Sequence, residues 1–325
     1  MFIRARKIGA ETYYYLVESV REEGRIRQKT VEYFGADRSK ALAYAKEHGL
    51  RIKEAETVLP PSGELDEMIR LKQERLAGLR KSPEAMRKLK SDLLETWTYN
   101  STTIEGSTLN RRETALFLSE GIAAKDKPFV DHLDVKGHAE AVKLLFSWIE
   151  KDAGRQVNEH DILELHSTVM YGRRDALAIG AYRDVQVYIR GSAHLPPPPS
   201  EVPKLMKHLV GRIAENPDKH DLITHAAVTH ADFEAIHPFV DGNGRVGRLV
   251  ANWMLLRKGY PAVVIEVRDR KRYFSYLDAA HGGDYSKIAW FFKRKLNAAY
   301  DFYLKRLDPG WEAFAKSLRA RFGNP

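Results

Sequence analysis

Residues 237–248 read HPFVDGNGRVGR: a histidine, a carboxylate, a glycine-flanked asparagine and two arginines within twelve positions. Each type has a chemical use. The imidazole of His237 takes up a proton near neutral pH, so it can serve as a general base. Asp241 is a hard oxygen ligand of the kind Mg²⁺ takes, where one or two carboxylates are completed by substrate phosphates. Gly242 and Gly244 let successive backbone N–H groups converge on an anion. The stretch DLITHAAVTHADFEAI in front reads as a helix that Pro238 stops, and GRVGRLVANWMLL behind reads as a second. The loop therefore feeds a helix N-terminus, whose dipole favours negative charge. Arg245 and Arg248 are three apart and share a face of that second helix; their planar forks suit phosphate oxygens. The spacing describes a polyphosphate site with a metal and a base beside it. A plain helix–loop–helix turn with surface arginines accounts for any one of these residues, but poorly for the set.

At every position the stretch resembles the signature of the Fic family, HPFx[D/E]GN[G/K]RxxR. The resemblance extends over residues 99–303. It implies a mainly α fold, with a Fic-type helical core, and transfer of AMP from ATP to a hydroxyl of a target protein. By that resemblance His237 deprotonates the incoming Ser, Thr or Tyr hydroxyl, and Asp241 holds Mg²⁺ against the α- and β-phosphates. Asn243 and the backbone of Gly242 and Gly244 cradle the phosphates. Arg245 neutralises the β- and γ-phosphates around the leaving group, and Arg248 holds the γ-phosphate. Phe239 anchors this nucleotide-binding loop in the core. Gly244 stands where the phosphorylating branch of the family typically carries Lys, which favours AMP transfer with loss of pyrophosphate. Positioning and electrostatics would then supply most of the catalysis.

Two further stretches bear on the same site. Residues 101–106, STTIEG, resemble the family's inhibitory motif [S/T]xxxE[G/N], with Ser101, Glu105 and Gly106 at its fixed positions. The resemblance implies that Glu105 pairs with Arg248 and diverts it from the γ-phosphate; a solvated glutamate in a polar turn is the plain alternative. In some relatives the same glutamate helps position water for AMP removal. Residues 180–206 resemble the family's flap. DVQVYIR alternates, GSAH turns and four prolines follow at 196–199, which predicts a β-hairpin. Such an edge can take an extended target segment by strand addition. Asn252 and Tyr273 match the region where relatives hold adenosine, and Tyr273 either stacks on adenine or is core. Phe274 and His281 depart from the Tyr and Asn of many relatives, which leaves base selectivity open. His220, His225 and His230 are five apart, a spacing that does not put two ligands on one helix face, and neither HExxH nor GxxxxGK[ST] occurs in the sequence.

These residues need elements to hold them. FIRARKI, TYYYLVESV and RIRQKTVEYFG are rich in β-branched and aromatic residues and read as a three-stranded meander, followed by a short helix. We expect a small β-rich module over residues 1–56, a helical linker over 57–98, the catalytic domain over 99–303 and a C-terminal helix over 304–325. The break falls at Pro60, Pro61, Ser62 and Gly63, and Ser82-Pro83 opens another helix. The N-terminal segment more loosely resembles the start of certain transposases. Its Arg and Lys interleave with Tyr13, Tyr14, Tyr15 and Tyr33, which suits nucleic acid, while Glu11, Glu18, Glu22 and Glu23 dilute the patch. A structural or protein-docking module is the preferred reading, with nucleic acid as the alternative. The 43% apolar content is that of a globular protein, and the absence of cysteine excludes disulfides and thiolate metal sites. No apolar run reaches membrane-span length, so we expect a cytoplasmic protein, with oligomerisation left open. The functional expectation is an autoinhibited protein adenylyltransferase using ATP and Mg²⁺. A nucleotide-sensing regulator that binds nucleic acid without transferring anything is the alternative, and transfer of another nucleotide or of phosphate is a weaker third.

Overall fold

The structure, a computed structural model, describes all residues except 9–10, 23–24, 36, 55–62, 80–81, 153, 174–177, 217–219 and 323–325, and gives backbone alone at 6–8, 11–13, 20–22, 25–29 and 53–54. The protein is mainly helical, with a small N-terminal sheet. Strands β1 (Phe2–Ile8), β2 (Glu11–Glu22) and β3 (Arg25–Gly35) form the expected antiparallel meander. A short β4 (Ile52–Glu54) adds to it in parallel with β1, giving the order β3-β2-β1-β4. Helix α1 (Arg38–Glu47) starts where the Asp37 side chain accepts the Lys40 N–H at 3.0 Å. Strand alternation then divides β2 between two cores. Tyr14 and Leu16 pack with Ile3, Phe34 and Ala41 under α1, whereas Tyr15 and Val17 join the main helical core. Of the expected basic patch, Arg4 is buried on β1, and the side chains of Arg6, Lys7, Arg21, Arg25, Arg27 and Lys29 lie outside the described ones, as the break at Pro60–Ser62 lies outside the described residues.

Helix α2 (Glu64–Ala77) follows, then α3 (Pro83–Glu105), which opens with Pro83 in its first turn and the Ser82 hydroxyl accepting the Ala85 N–H at 3.1 Å. Next come α4 (Arg111–Glu120), α5 (Phe129–Lys151), α6 (Glu159–Val169), α7 (Val202–Glu215), α8 (Leu222–Ile236) and α9 (Asn243–Leu256). The chain ends in α10 (Arg270–His281), α11 (Ser286–Leu307) and α12 (Trp311–Phe322). The boundaries expected after residues 98 and 303 fall inside α3 and α11. Helix α2 is also tied to the body: buried Lys72 reaches Asn297 Oδ1 at 2.8 Å and pairs with Asp301, and Arg75 forks onto Asp308. Helix α8 is the central element. Every residue from Ile223 to Ile236 is buried, its polar residues Thr224, His225, Thr229, His230, Asp232 and Glu234 along with the small and apolar ones.

The expected hairpin over residues 180–206 differs in form. Residues 181–198 make a loop with two legs and no strand pairing. The prolines at 196–199 have no N–H to offer an opposing strand. Side chains serve the return leg instead: Gln186 Nε2 donates to Pro196 O at 3.0 Å and Arg183 Nη2 to Pro197 O at 2.5 Å. At its tip, Ala193 O accepts the Thr30 N–H of β3 at 2.9 Å, so the N-terminal sheet props this loop from behind.

Candidate active site

Helix α8 ends at Ile236, and the next residue, His237, is itself left-handed (φ 50°, ψ 61°) with its N–H on Phe233 O at 2.9 Å. Such backbone is costly for a non-glycine residue and persists only where surroundings enforce it. Here Arg183 enforces it. Buried to 2% exposure, it donates from Nε to His237 O at 2.8 Å and from Nη1 to Val185 O at 3.0 Å, and its own N–H bonds Pro238 O at 2.9 Å. Burial pulls its guanidinium down to about 10. Asn243 staples the loop that follows. Its Oδ1 accepts the Phe239 N–H at 2.9 Å and its Nδ2 donates to Phe239 O at 2.8 Å. The Phe239 ring is wholly buried and stacks on His166 at 3.7 Å. His166 Nδ1 accepts the Gly180 N–H at 3.0 Å, so its Nε2 carries the proton and donates to Asp241 O at 3.1 Å. Burial, assisted by Arg245, holds that imidazole down at about 4, the neutral form this arrangement needs.

The loop opens on a cleft of about 670 Å³. Gly242, in the left-handed region (φ 82°), turns the chain into α9. His237 faces the cleft with 18% of its side chain exposed. Its Nδ1 lies 3.3 Å from Glu234 O, an acceptor only, so Nδ1 bears the hydrogen and Nε2 is left to take one. Burial pushes His237 down to about 4, with Arg183 adding to it, so the imidazole is a neutral base at pH 7.

The two arginines have different neighbours. Arg245 Nη1 bonds Asp134 on α5 at 2.6 Å, and its Nη2 lies 3.3 Å from Asp241 Oδ1. Asp134 also takes Arg173 at 2.8 Å, and Arg173 in turn faces Asp241 Oδ2 at 3.6 Å. Arg248 is turned towards the end of α3. Its Nη1 lies 2.7 Å from Glu105 Oε1, its Nε donates to Ser101 Oγ at 3.1 Å, and its Nη2 donates to Ser101 O at 2.9 Å. The Glu105 contact is an ion pair without hydrogen-bond alignment, since Nη1 has no aligned acceptor among the described residues. Gly106 caps α3 at φ 121° and lets the chain leave behind the carboxylate. Glu105 lies directly on Gly244: a Cβ at that position would overlap Oε1 and press on Arg248 Nη1 at 2.9 Å. Burial opposes the charge on Arg248, but Glu105 outweighs it and keeps the guanidinium firmly protonated. Glu234, within 4.0 Å of His237, is raised by burial, with Glu105 repelling it further, to about 8, so it carries a proton at pH 7.

Glu105, His237, Asp241, Gly242, Asn243, Gly244, Arg245, Arg248 and Tyr273 thus line one cleft. Two expected nucleotide contacts lie behind it. The Asn252 side chain bonds Arg248 O at 3.0 Å and both backbone groups of Val263 at 2.6 and 2.9 Å; Phe239 is the loop's core anchor. Tyr273 reaches the cleft wall but is fully buried, its hydroxyl 2.6 Å from His230 Nε2. Sequence reasoning missed Asp134, His166, Arg173, Arg183 and Glu234. Only Glu234, one helical turn before His237, carried a local signal. Asp241 suits Mg²⁺ by donor chemistry: its carboxylate is 49% exposed at the cleft mouth and stands beside arginines that can hold the phosphates completing such a shell.

A histidine, a carboxylate and two arginines thus gather on a glycine turn at a helix N-terminus within a mainly helical domain. Residues 156–255 match the Fic/DOC family model, and residues 3–44 match that of the IS1634 family transposase N-terminal domain. The chain is 34% identical over 207 residues to a protein adenylyltransferase Fic of Nematostella vectensis, covering 63% of this chain and 48% of that one. It is 32% identical over 234 residues to the same-named protein of Drosophila erecta, covering 72% and 46%. It therefore spans about half the length of the curated relatives it matches. A Fic domain containing signaling protein from Bacteroides thetaiotaomicron superposes with a TM-score of 0.67 at 26% identity, over 75% of this chain and 98% of that one. Fic-1 (residues 134–508) of C. elegans superposes at 0.66 with 25% identity, over 83% and 75%. Among the described residues no helix is long and apolar enough to cross a membrane.

Proposed function

We propose that this chain is an autoinhibited protein adenylyltransferase. The observation that carries the reading is the Glu105–Arg248 ion pair, seated on Gly244 in the same cleft as His237. All three guanidinium nitrogens of Arg248 face α3, so the arginine is unavailable to a terminal phosphate. When Glu105 leaves, Arg248 and Arg245 bind the β- and γ-phosphates, and the N–H groups at the start of α9 take phosphate oxygens. Asp241 would hold Mg²⁺, which supplies charge neutralisation of the phosphates. His237 Nε2 takes the proton of the target hydroxyl. The freed oxygen forms its bond to the α-phosphorus, and the bond to the α,β-bridging oxygen breaks, so pyrophosphate leaves with the electron pair. The imidazolium keeps its Nδ1–H on Glu234 O. The substrate is a protein segment presented along the loop over 181–198, where Val185 and Tyr188 are exposed.

The test compares the full chain with Glu105→Gly and His237→Ala, each given Mg²⁺ and ATP labelled on the α-phosphate or on the γ-phosphate, with and without cell extract. Protein-bound α-label that rises in Glu105→Gly, vanishes in His237→Ala and has no γ counterpart is the expected result. ATP binding without label in any form would replace this reading by a nucleotide-sensing regulator.

A further inference from the structure

Asp241 does not stand alone at the cleft mouth. Each of its carboxylate oxygens faces a guanidinium, Oδ1 that of Arg245 at 3.3 Å and Oδ2 that of Arg173 at 3.6 Å. Both arginines also share one oxygen of Asp134, at 2.6 and 2.8 Å. The four groups close a ring of alternating charge, two carboxylates and two guanidiniums, drawn from α5, the turn after α6, the glycine loop and α9. Arg245 is 2% exposed, Arg173 13% and Asp134 19%, so water screens the ring only in part.

This ring has a consequence for the order of binding, given that Asp241 is the metal ligand of the reading above. A bare divalent cation approaching Asp241 meets a carboxylate whose charge is already balanced, with two fixed guanidiniums beside it. It must displace one of them and then sit next to the other in a partly dry site. Nucleotide phosphates reverse that balance. They offer the arginines a better partner and bring their own negative charge to the metal. We propose that Arg173 is the resting counter-ion of Asp241, so that the divalent ion binds with the nucleotide and not before it. Asp134 is the positioning residue that holds Arg173 and Arg245 in reach of the phosphate site when Asp241 changes partner.

The reading is tested by metal binding, independently of transfer. Mn²⁺ is the probe, followed by loss of the free-ion electron paramagnetic resonance signal. The protein is the full chain carrying Glu105→Gly, with and without an ATP analogue bearing a methylene between the α- and β-phosphorus. At least a hundredfold tighter Mn²⁺ binding with the analogue is expected. Arg173→Gln should tighten Mn²⁺ binding in the absence of nucleotide tenfold or more, and Asp241→Asn in the same chain should abolish that gain. Arg173→Lys keeps the charge and should keep the ion out. Asp134→Asn should act in the opposite direction to Arg173→Gln, because both arginines then bear more fully on Asp241. Mere disturbance of the fold would not split these variants by sign, and melting curves of each keep that distinction visible. Mn²⁺ binding as tight without nucleotide as with it overturns the proposal, as does an Arg173→Gln chain of unchanged stability and unchanged Mn²⁺ affinity. If the analogue does not bind at all, the adenylyltransferase reading fails, while the nucleotide-free comparison of Arg173→Gln with Asp241→Asn still decides this one.

Discussion

At the residue scale, the proposed inhibition depends on an atom that is missing. Glu105 can lie on the phosphate loop only because residue 244 has no Cβ. Gly244→Ala should therefore unseat Glu105 without altering it, and α-label incorporation by the full chain should rise several-fold. Combined with Glu105→Gly, it should add nothing further. A Gly244→Ala chain as quiet as the parent would show that the carboxylate has room to shift and stay on Arg248. Gly247 works the same way on the inner side of α9: a Cβ there would stand 2.8 Å from Glu234 Oε1 and 3.1 Å from His230 Nδ1. The signature in the sequence announced the glycines. What they make room for came from α3 and α8, and the pattern HPFVDGNGRVGR holds no trace of either.

Among the elements, the loop over 181–198 and the end of α8 act as one piece because Arg183 binds carbonyls of both. Arg183→Met keeps the bulk and leaves His237 O, Val185 O and Pro197 O without their donor. Charge-assisted hydrogen bonds of this kind are worth about 1.5–3 kcal/mol each, so a loss on the order of 3 kcal/mol in denaturant unfolding is expected. In a Glu105→Gly chain the same change should lower kcat for protein labelling more than it raises KM for ATP, because it loosens the base and not the arginines. Helices α2 and α3 were legible as the helical linker over 57–98 and from the Ser82-Pro83 start. The loop was not legible as a loop. DVQVYIR alternates like a strand, but its would-be partner is a run of prolines, and strand pairing needs N–H donors on both sides. The short β4 was equally hidden: three residues are too few to show a period.

For the molecule as a whole, the buried ionisable groups set a stability optimum. His166, His230 and His237 are held down at about 4, 3 and 4 from an ordinary 6.5, chiefly by burial, and His138 is pushed well below it. The unfolded chain binds more protons across that window, so stability present above pH 6.5 is lost as pH falls through it. Glu234 has the opposite sign. Raised from 4.5 to about 8, it contributes stability that is full below 4.5 and disappears as pH rises towards 8. Four histidines outweigh one acid below 6.5, and the acid acts alone above it. The melting temperature should peak near pH 6.5 and fall on both sides. His230→Gln should flatten the acid limb and Glu234→Gln the alkaline one; a curve that rises steadily from pH 6.5 to 8 would contradict the assignment for Glu234. The sequence by itself determined which residues are offered for the chemistry, and their local frame. His237, Asp241, Arg245 and Arg248 are close along the chain, and helix, turn and glycine propensities act over those same few residues. Only the tertiary structure decided what steadies that chemistry. Asp134, Arg173 and Arg183 come from as far as 111 residues away, and their effect rests on burial and facing charge, which no local pattern of residue types encodes, whereas Glu105 was already marked by the resemblance of residues 101–106 to an inhibitory motif.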